Sequence, residues 1–319
     1  MRDGEITRAA DTLRAGRLVA FPTETVYGLG ADASSPAAVH RLFAAKGRPP
    51  DHPVIVHLGR VDQLAEWARE VPTAAAALAD ACWPGPLTVV VPRAPHVPDA
   101  VTGGLDTVGL RVPDQRVALA LLREFGGGVA APSANRFGRV SPTTAADVRA
   151  DLGADVDVVL DDGPCRVGVE STIVDCSRAE PAILRLGGVS RERVEELLGV
   201  RVPLLDAGEV RAPGTLSAHY APRTRVEVAD DASVAARAAA QLETGARVGL
   251  ISLQVPAGLD ARVAIIGTPT DVEAYAHLLY HWLRDADARE LDVVLVVPPA
   301  PVGLGAAVAD RLRRAAGAG

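Results

Sequence analysis

Eight apolar stretches of strand length lie in the first 199 residues: "RLVAF", "PVIVHL", "LTVVVP", "TVGLRVP", "GVAAPS", "DVVLDD", "STIVDCS" and "AILRLG". Each is short and bounded by turn-forming or charged residues, which predicts strands. Apolar positions at helical spacing predict helices over Glu5–Ala15, Pro36–Ala45, Val61–Trp67, Thr73–Ala81, Arg116–Phe125, Thr144–Leu152 and Arg191–Leu198. Several strands follow one another with no helix between them. That order predicts a mixed sheet, not a regular βαβ series. Residues 200–224 have no clear periodicity and contain three prolines, so they read as a linker. Beyond them the pattern alternates: "RVEVA", a helix over Ala232–Glu243, "RVGLIS", "ARVAII", a helix over Asp271–Ala286, "LDVVLVV" and a helix over Ala306–Ala315. This rhythm predicts a small Rossmann-like α/β domain. The expected organisation is 1–199, a linker at 200–224, and 225–319.

Length and composition fit that division. A chain of 319 residues suggests two domains. No apolar run approaches a membrane span, and the N-terminal segment lacks the apolar core of a secretory signal. The expectation is a cytoplasmic protein without a membrane. Cys82, Cys165 and Cys176 are an odd number with no C-x-x-C pair, so buried reduced thiols are expected. The net charge of −7 disfavours nucleic acid as a partner of the whole surface. One compositional detail is sharper. Of 33 basic residues only Lys46 is lysine, and Asn135 is the only asparagine.

Familiar nucleotide motifs fail. The single lysine stands in "AAKGRPP", without the glycines of a P-loop. The "GLGADA" of "FPTETVYGLGADASSPAAV" resembles a dinucleotide fingerprint. Its glycines come too late after the strand, however, and the next helix starts later still, near Ser35. The glycines are expected to let the chain bend behind the loop. What remains is a set of polar loops after strands. They carry Lys46, Arg48, Arg111 and Arg185, many hydroxyls, and few carboxylates, chiefly Glu24 and Glu170. Such a mixture suits a polyanion together with a zwitterionic partner.

The motifs "FPTETVYGLG", "KGRP…HPVIVH", "WPGPLT", "GLRVP", "APSAN…G..SPT" and "ESTIVD", followed by "PGTLSAHYAP", occur in this order in the YrdC-domain family. The chain resembles the longer, two-domain members of that family, the threonylcarbamoyl-AMP synthases. The resemblance implies a YrdC-like domain with a twisted mixed sheet and a concave active-site face. It also implies a reaction: L-threonine, bicarbonate and ATP give threonylcarbamoyl-AMP and pyrophosphate, with Mg²⁺ accompanying ATP and no organic cofactor. The product would pass to a complex that modifies tRNA.

By the same resemblance, Thr25, His57, Arg111, Ala131 and Ser171 contact threonine. Lys46, Arg48, His52, Thr107, Ser133, Asn135, Ser141, Arg185 and Tyr220 contact ATP. Lys46, Arg48 and Arg185 neutralise charge during the reaction. No protein ligands of a metal are indicated. The "PGTLSAHYAP" segment would cover the site. Two departures stand out: His52 occupies a position where asparagine is commoner, and "LSA" precedes "HYAP" without the usual basic residue. The rival readings are a double-stranded RNA or tRNA-binding module, with weak tRNA contact, and a carbamoyltransferase of the hydrogenase-maturation kind. The second lacks its acylphosphatase-like and zinc-finger segments here.

Overall fold

A computed structural model of the protein describes residues 3–205 and 220–317. Among them the chain forms two compact units. The first comprises residues 3–137, 141–166 and 170–205, and the second comprises 138–140, 167–169 and 220–317. Two short internal loops thus belong to the second unit, which a contiguous division of the sequence does not reveal.

The first unit is built on nine strands: β1 (Val19–Phe21), β2 (Gly28–Asp32), β3 (Ile55–His57), β4 (Leu87–Pro92), β5 (Thr107–Arg111), β6 (Val129–Ala130), β7 (Val158–Val159), β8 (Thr172–Asp175) and β9 (Ala182–Arg185). They form one sheet in the order β7-β1-β2-β6-β3-β5-β4-β8-β9. The β3/β5 and β4/β8 pairs are parallel, whereas β1/β2, β2/β6, β4/β5 and β8/β9 are antiparallel. This is the mixed sheet that the uninterrupted strands predict. β1 shows why its sequence is continuously apolar. Val19 and Phe21 pack with the helices Asp3–Arg14 and Arg116–Phe125, while Leu18 and Ala20 join the main core on the other face. Alternate residues of a strand point to opposite faces, so a strand covered on both sides has no polar positions.

The "GLGAD" stretch corrects one expectation. It is not a bend but strand β2, pairing Gly28 with Phe21 and Gly30 with Val19. Neither Gly28 nor Gly30 has a positive φ. A methyl group on Gly30 would sit 2.9 Å from both Phe21 Cε1 and Val129 Cγ1, and 3.2 Å from the Val19 carbonyl. The glycine is needed because two neighbouring strands press against it. Gly30→Ala therefore destabilises the fold by about 1–3 kcal/mol in chemical denaturation, the usual penalty of overpacking.

Local signals set the helix that carries the lone lysine. Ser35 caps helix Pro36–Lys46 by accepting from the Ala38 N–H, proline occupies the first turn, and Gly47 ends the helix at φ 63°. Lys46 is thereby the last helical residue, at the negative end of the helix dipole, where a cation is favoured.

Residues at the start of the expected linker are ordered. Leu205 donates to the Ile183 carbonyl and Ile183 to that of Pro203, so this piece runs beside β9. Residues 206–219, which include most of "PGTLSAHYAP" and His219, lie outside the described residues.

The second unit holds four parallel strands, β10 (Arg225–Val228), β11 (Val248–Ile251), β12 (Ala264–Gly267) and β13 (Val293–Val296), in the order β10-β13-β11-β12. Helices Val234–Glu243, Val272–Ala288 and Leu304–Ala315 complete the alternation. "GLGAAV" is simply the entry to the last of these helices, which Gly303 opens at φ 58°. Its loops 167–169 and 138–140 are pinned to helix Val272–Ala288. Gly168 lies against the Ala276 carbonyl, and Arg284 donates to the Val140 carbonyl at 2.6 Å. No helix among the described residues is long and apolar enough to cross a membrane.

Candidate active site

The four cations that the sequence placed in polar loops are all buried. Lys46 is 2% exposed, Arg48 8%, Arg111 4% and Arg185 5%. Three of them end regular elements: Lys46 its helix, Arg111 strand β5 and Arg185 strand β9. Placement at element ends fixes each charge through the rigid sheet and helix instead of a loop. Against them stand the buried carboxylates Glu24 and Glu170.

The lone lysine and the lone asparagine share one cage. Lys46 Nζ donates to the carbonyls of Ser133 and Asn135, each at 2.5 Å. The Asn135 amide donates to the Arg136 carbonyl at 2.7 Å, and Phe137 N–H donates to the Lys46 carbonyl at 2.8 Å. Burial, followed by the charge of Arg48, holds the lysine well below its usual pKa. A phosphate oxygen beside it would raise that pKa again. Arg48 donates to the Pro53 carbonyl at 2.9 Å and lies 6.0 Å and 5.9 Å from the ring centres of Phe43 and Phe137. His52 meets Phe137 edge-on at 5.7 Å.

The "TET" loop folds on itself. Thr23 Oγ1 lies 2.7 Å from Thr25 Oγ1, donates to the Val26 carbonyl and accepts from the Thr25 and Val26 N–H groups. Such a hydroxyl turn orients the residue between. Glu24 accordingly reaches Arg111, with Oε1 2.7 Å from Nη2. Arg111 also donates from Nε to the Gly85 carbonyl at 3.2 Å. Beside it, His57 is paired in register with Arg111 on the adjacent parallel strand. His57 packs edge-on against Phe21 at 6.1 Å. Burial, then the Arg111 charge, lowers its pKa to about 3.

A third group surrounds Ser171. Its hydroxyl lies 2.8 Å from Thr88 Oγ1 and accepts from Arg185 Nη2 at 3.1 Å. Arg185 also grips the Ser171 carbonyl from Nε and Nη2. Ser141 donates to Glu170 at 2.8 Å. Backbone hydrogen bonds join the groups. Tyr27 donates to Pro142 and accepts from Ala134, Ala131 donates to Ile55, and Thr172 donates to Pro86, next to Gly85.

Residues 11–187 match the family profile of Sua5, YciO and YrdC, described as "Telomere recombination". Residues 189–317 match "Threonylcarbamoyl-AMP synthase, C-terminal domain". The threonylcarbamoyl-AMP synthase of Pyrococcus abyssi is 41% identical over 329 residues, spanning 99% of this chain and 95% of its own. The chain belongs to the threonylcarbamoyl-AMP synthase family. The Bacillus subtilis enzyme of that name is 39% identical across 99% of this chain and 94% of its own. A crystal structure of P. abyssi Sua5 complexed with L-threonine superposes with a TM-score of 0.93, at 40% identity, over 99% of this chain and 95% of that one.

Two further expected residues are placed within this threonylcarbamoyl-AMP synthase scaffold as follows. Thr107 is half-buried at the start of β5, paired with Pro92, four residues from Arg111 along the strand. That is about 13 Å at the usual strand rise. Tyr220 lies in the second unit, 1% exposed, at φ 63°. It stacks on Tyr280 at 5.7 Å, and the Arg311 guanidinium sits 5.1 Å from its ring. Three residues had no assigned role: Glu24, Thr88 and Glu170. The scarcity of carboxylates in the polar loops was the available signal for the first and last. Thr88, inside an apolar strand, gave none. The cysteines are free, with Cys165 and Cys176 buried and Cys82 half-buried.

The low His57 value has a consequence in acid. Its folded pKa lies below the ordinary 6.5, so the unfolded chain binds the proton more readily. Stability is therefore full above the unfolded value and falls as pH drops from there towards about 3. The slope approaches about 1.4 kcal/mol per pH unit for one such group. His57→Gln removes this contribution. Denaturation curves between neutral pH and pH 4 should show a shallower loss in the variant than in the parent.

Proposed function

We propose that the protein joins L-threonine, bicarbonate and ATP to give threonylcarbamoyl-AMP and pyrophosphate. One observation carries the reading: in an acidic chain, four cations are buried around loops whose buried carboxylates are Glu24 and Glu170. Burying unbalanced charge is expensive, so such a surplus fits a site whose ligands are anionic. ATP, bicarbonate and the threonine carboxylate are all anions.

The roles follow from the groups. The Arg111 guanidinium takes the threonine carboxylate. Thr25, His57, Ser171 and the backbone at Ala131 shape the pocket for its hydroxyl and methyl groups. Lys46, Arg48 and Arg185 face the triphosphate, with Ser133, Asn135 and Ser141 as neutral contacts and Thr107 and His52 as further contacts. Mg²⁺ enters on the triphosphate as part of the substrate. The threonine amine forms its bond to the bicarbonate carbon as a C–O bond breaks and water leaves, and a carbamate oxygen then attacks the α-phosphorus as pyrophosphate leaves. Catalysis is positioning and charge neutralisation, without a covalent enzyme intermediate. The product passes to a tRNA threonylcarbamoyl transferase complex in the cytoplasm.

The test is pyrophosphate release in the presence of ATP, Mg²⁺ and bicarbonate, with and without L-threonine. Release that requires both threonine and bicarbonate is expected. Release that depends on neither overturns the reading. Tight, salt-sensitive tRNA binding without turnover would leave an RNA-binding module in its place.

A further inference from the structure

The pair formed by Glu24 and Arg111 is incomplete on both sides. Glu24 is 2% exposed, yet among the described residues neither carboxylate oxygen finds a hydrogen-bond donor. Among the described residues its ion-pair partner is Arg111 Nη2 at 2.7 Å, and that nitrogen makes no hydrogen bond there. A buried carboxylate offers about four lone-pair sites and is ordinarily met by several donors. Here the capacity of the cation and of the anion is left open in the same pocket. A zwitterionic amino acid matches that arrangement, its carboxylate on the guanidinium and its ammonium on the carboxylate.

The neighbours narrow the choice of base. Thr23 and Thr25 hydroxyls are committed to each other and to the Val26 carbonyl. Cys165 lies close enough for burial to raise its thiol pKa, with Glu24 adding to the rise and Arg111 opposing it. His57, in register with Arg111 on the adjacent strand, is kept neutral by burial and by that charge, which makes it a weak proton acceptor. Glu24 is the one group in this set with open lone pairs and a formal charge.

We propose that Glu24 receives the α-ammonium of the amino-acid substrate and removes its proton, as the substrate carboxylate takes over Arg111. The inference rests on the function proposed above. The step balances. One ammonium proton moves to Glu24, leaving the neutral amine. The nitrogen lone pair forms the C–N bond to bicarbonate, a C–O bond of bicarbonate breaks, and the departing hydroxide leaves as water with a second nitrogen proton. The remaining product is the carbamate.

The experiment uses the full-length protein and the variants Glu24→Gln and Glu24→Asp. Calorimetry compares L-threonine with 3-hydroxybutanoate, which has the same carboxylate and hydroxyl but no amine. The parent should prefer L-threonine by at least about tenfold, and Glu24→Gln should nearly erase that preference, the expected loss for a buried charge contact. Glu24→Asp, which keeps the charge one methylene further back, should fall between them. Pyrophosphate release supplies a second readout. At pH 7 Glu24→Gln should be about 10²-fold slower, within the usual range for a proton-transfer residue. The deficit should shrink by about tenfold per pH unit towards pH 9, as the amine loses its proton to solvent. A Glu24→Gln protein that keeps the parental ligand preference, or a deficit that does not change with pH, overturns the proposal. If Glu24→Gln fails to fold, a Glu24→Asp protein identical to the parent in preference does the same. If the parent binds no L-threonine, the proposed function itself fails, and the role of Glu24 with it.

Discussion

Replacing Lys46 by methionine lowers pyrophosphate release by about 10²–10³-fold, the typical loss when one preorganised electrostatic group is removed from a reaction centre. Stability should move far less. The carbonyls of Ser133 and Asn135 each lose a donor placed at 2.5 Å. Leaving such a group unsatisfied costs about 1–3 kcal/mol. The same change removes a fully buried ammonium, whose own desolvation penalty is several kcal/mol. The two effects oppose each other, so the melting curve of Lys46→Met should stay near that of the parent while turnover collapses. Lys46→Arg should not restore activity. A planar guanidinium cannot place a single nitrogen between two carbonyls and still present a compact charge to phosphate. Calorimetric titration with ATP separates the possibilities: weakened nucleotide binding is expected in both variants. A Lys46→Met protein with parental turnover removes the lysine from the phosphate site.

Arg111→Ala is expected to damage stability and threonine use together. Glu24 is 2% exposed and has Arg111 as its charged partner at 2.7 Å. Removing one member of a buried ion pair costs about 3–5 kcal/mol, because the other charge is stranded. Chemical denaturation should show that loss, and the apparent affinity for threonine should drop by about 10²-fold or more, as for other truncated buried charge contacts. Adding Glu24→Gln to Arg111→Ala removes the stranded charge. The double variant should regain most of the stability and none of the activity. If it also regains activity, Arg111 serves the fold alone. If neither variant differs from the parent in threonine dependence, the carboxylate site lies elsewhere.

Much of this architecture is readable from the chain because local chemistry and tertiary packing agree. Helix Pro36–Lys46 is announced by Ser35 and Pro36 at one end and Gly47 at the other, and the structure uses all three. The mixed nine-stranded sheet follows from strands that succeed one another without helices. The single lysine and asparagine pointed to one place, and they share one cage. What stayed hidden depends on partners far along the chain. β2 looks like a glycine turn because its demand is for space against Phe21 and Val129, which no local pattern records. Glu24 sits between two threonines and reads as turn chemistry until Arg111 is placed beside it. Lys46 and Arg111 gave no sign of burial, since their partners Ser133, Asn135, Glu24 and Gly85 come from segments far along the chain. Loops 138–140 and 167–169 group with the second unit through contacts to a helix more than 100 residues later.

The cage around Lys46 also says something about when the protein becomes competent. Its two carbonyl acceptors come 87 and 89 residues after it in the chain. A contact of that span closes only after the intervening loop entropy has been overcome, so it forms after local helices and hairpins. During synthesis, the lysine leaves the ribosome well before the segment that will enclose it. Until that segment arrives, Lys46 is an ordinary solvated amine with an ordinary affinity for protons. Its chemical character is therefore acquired late, as a property of the closed domain and not of the helix that bears it.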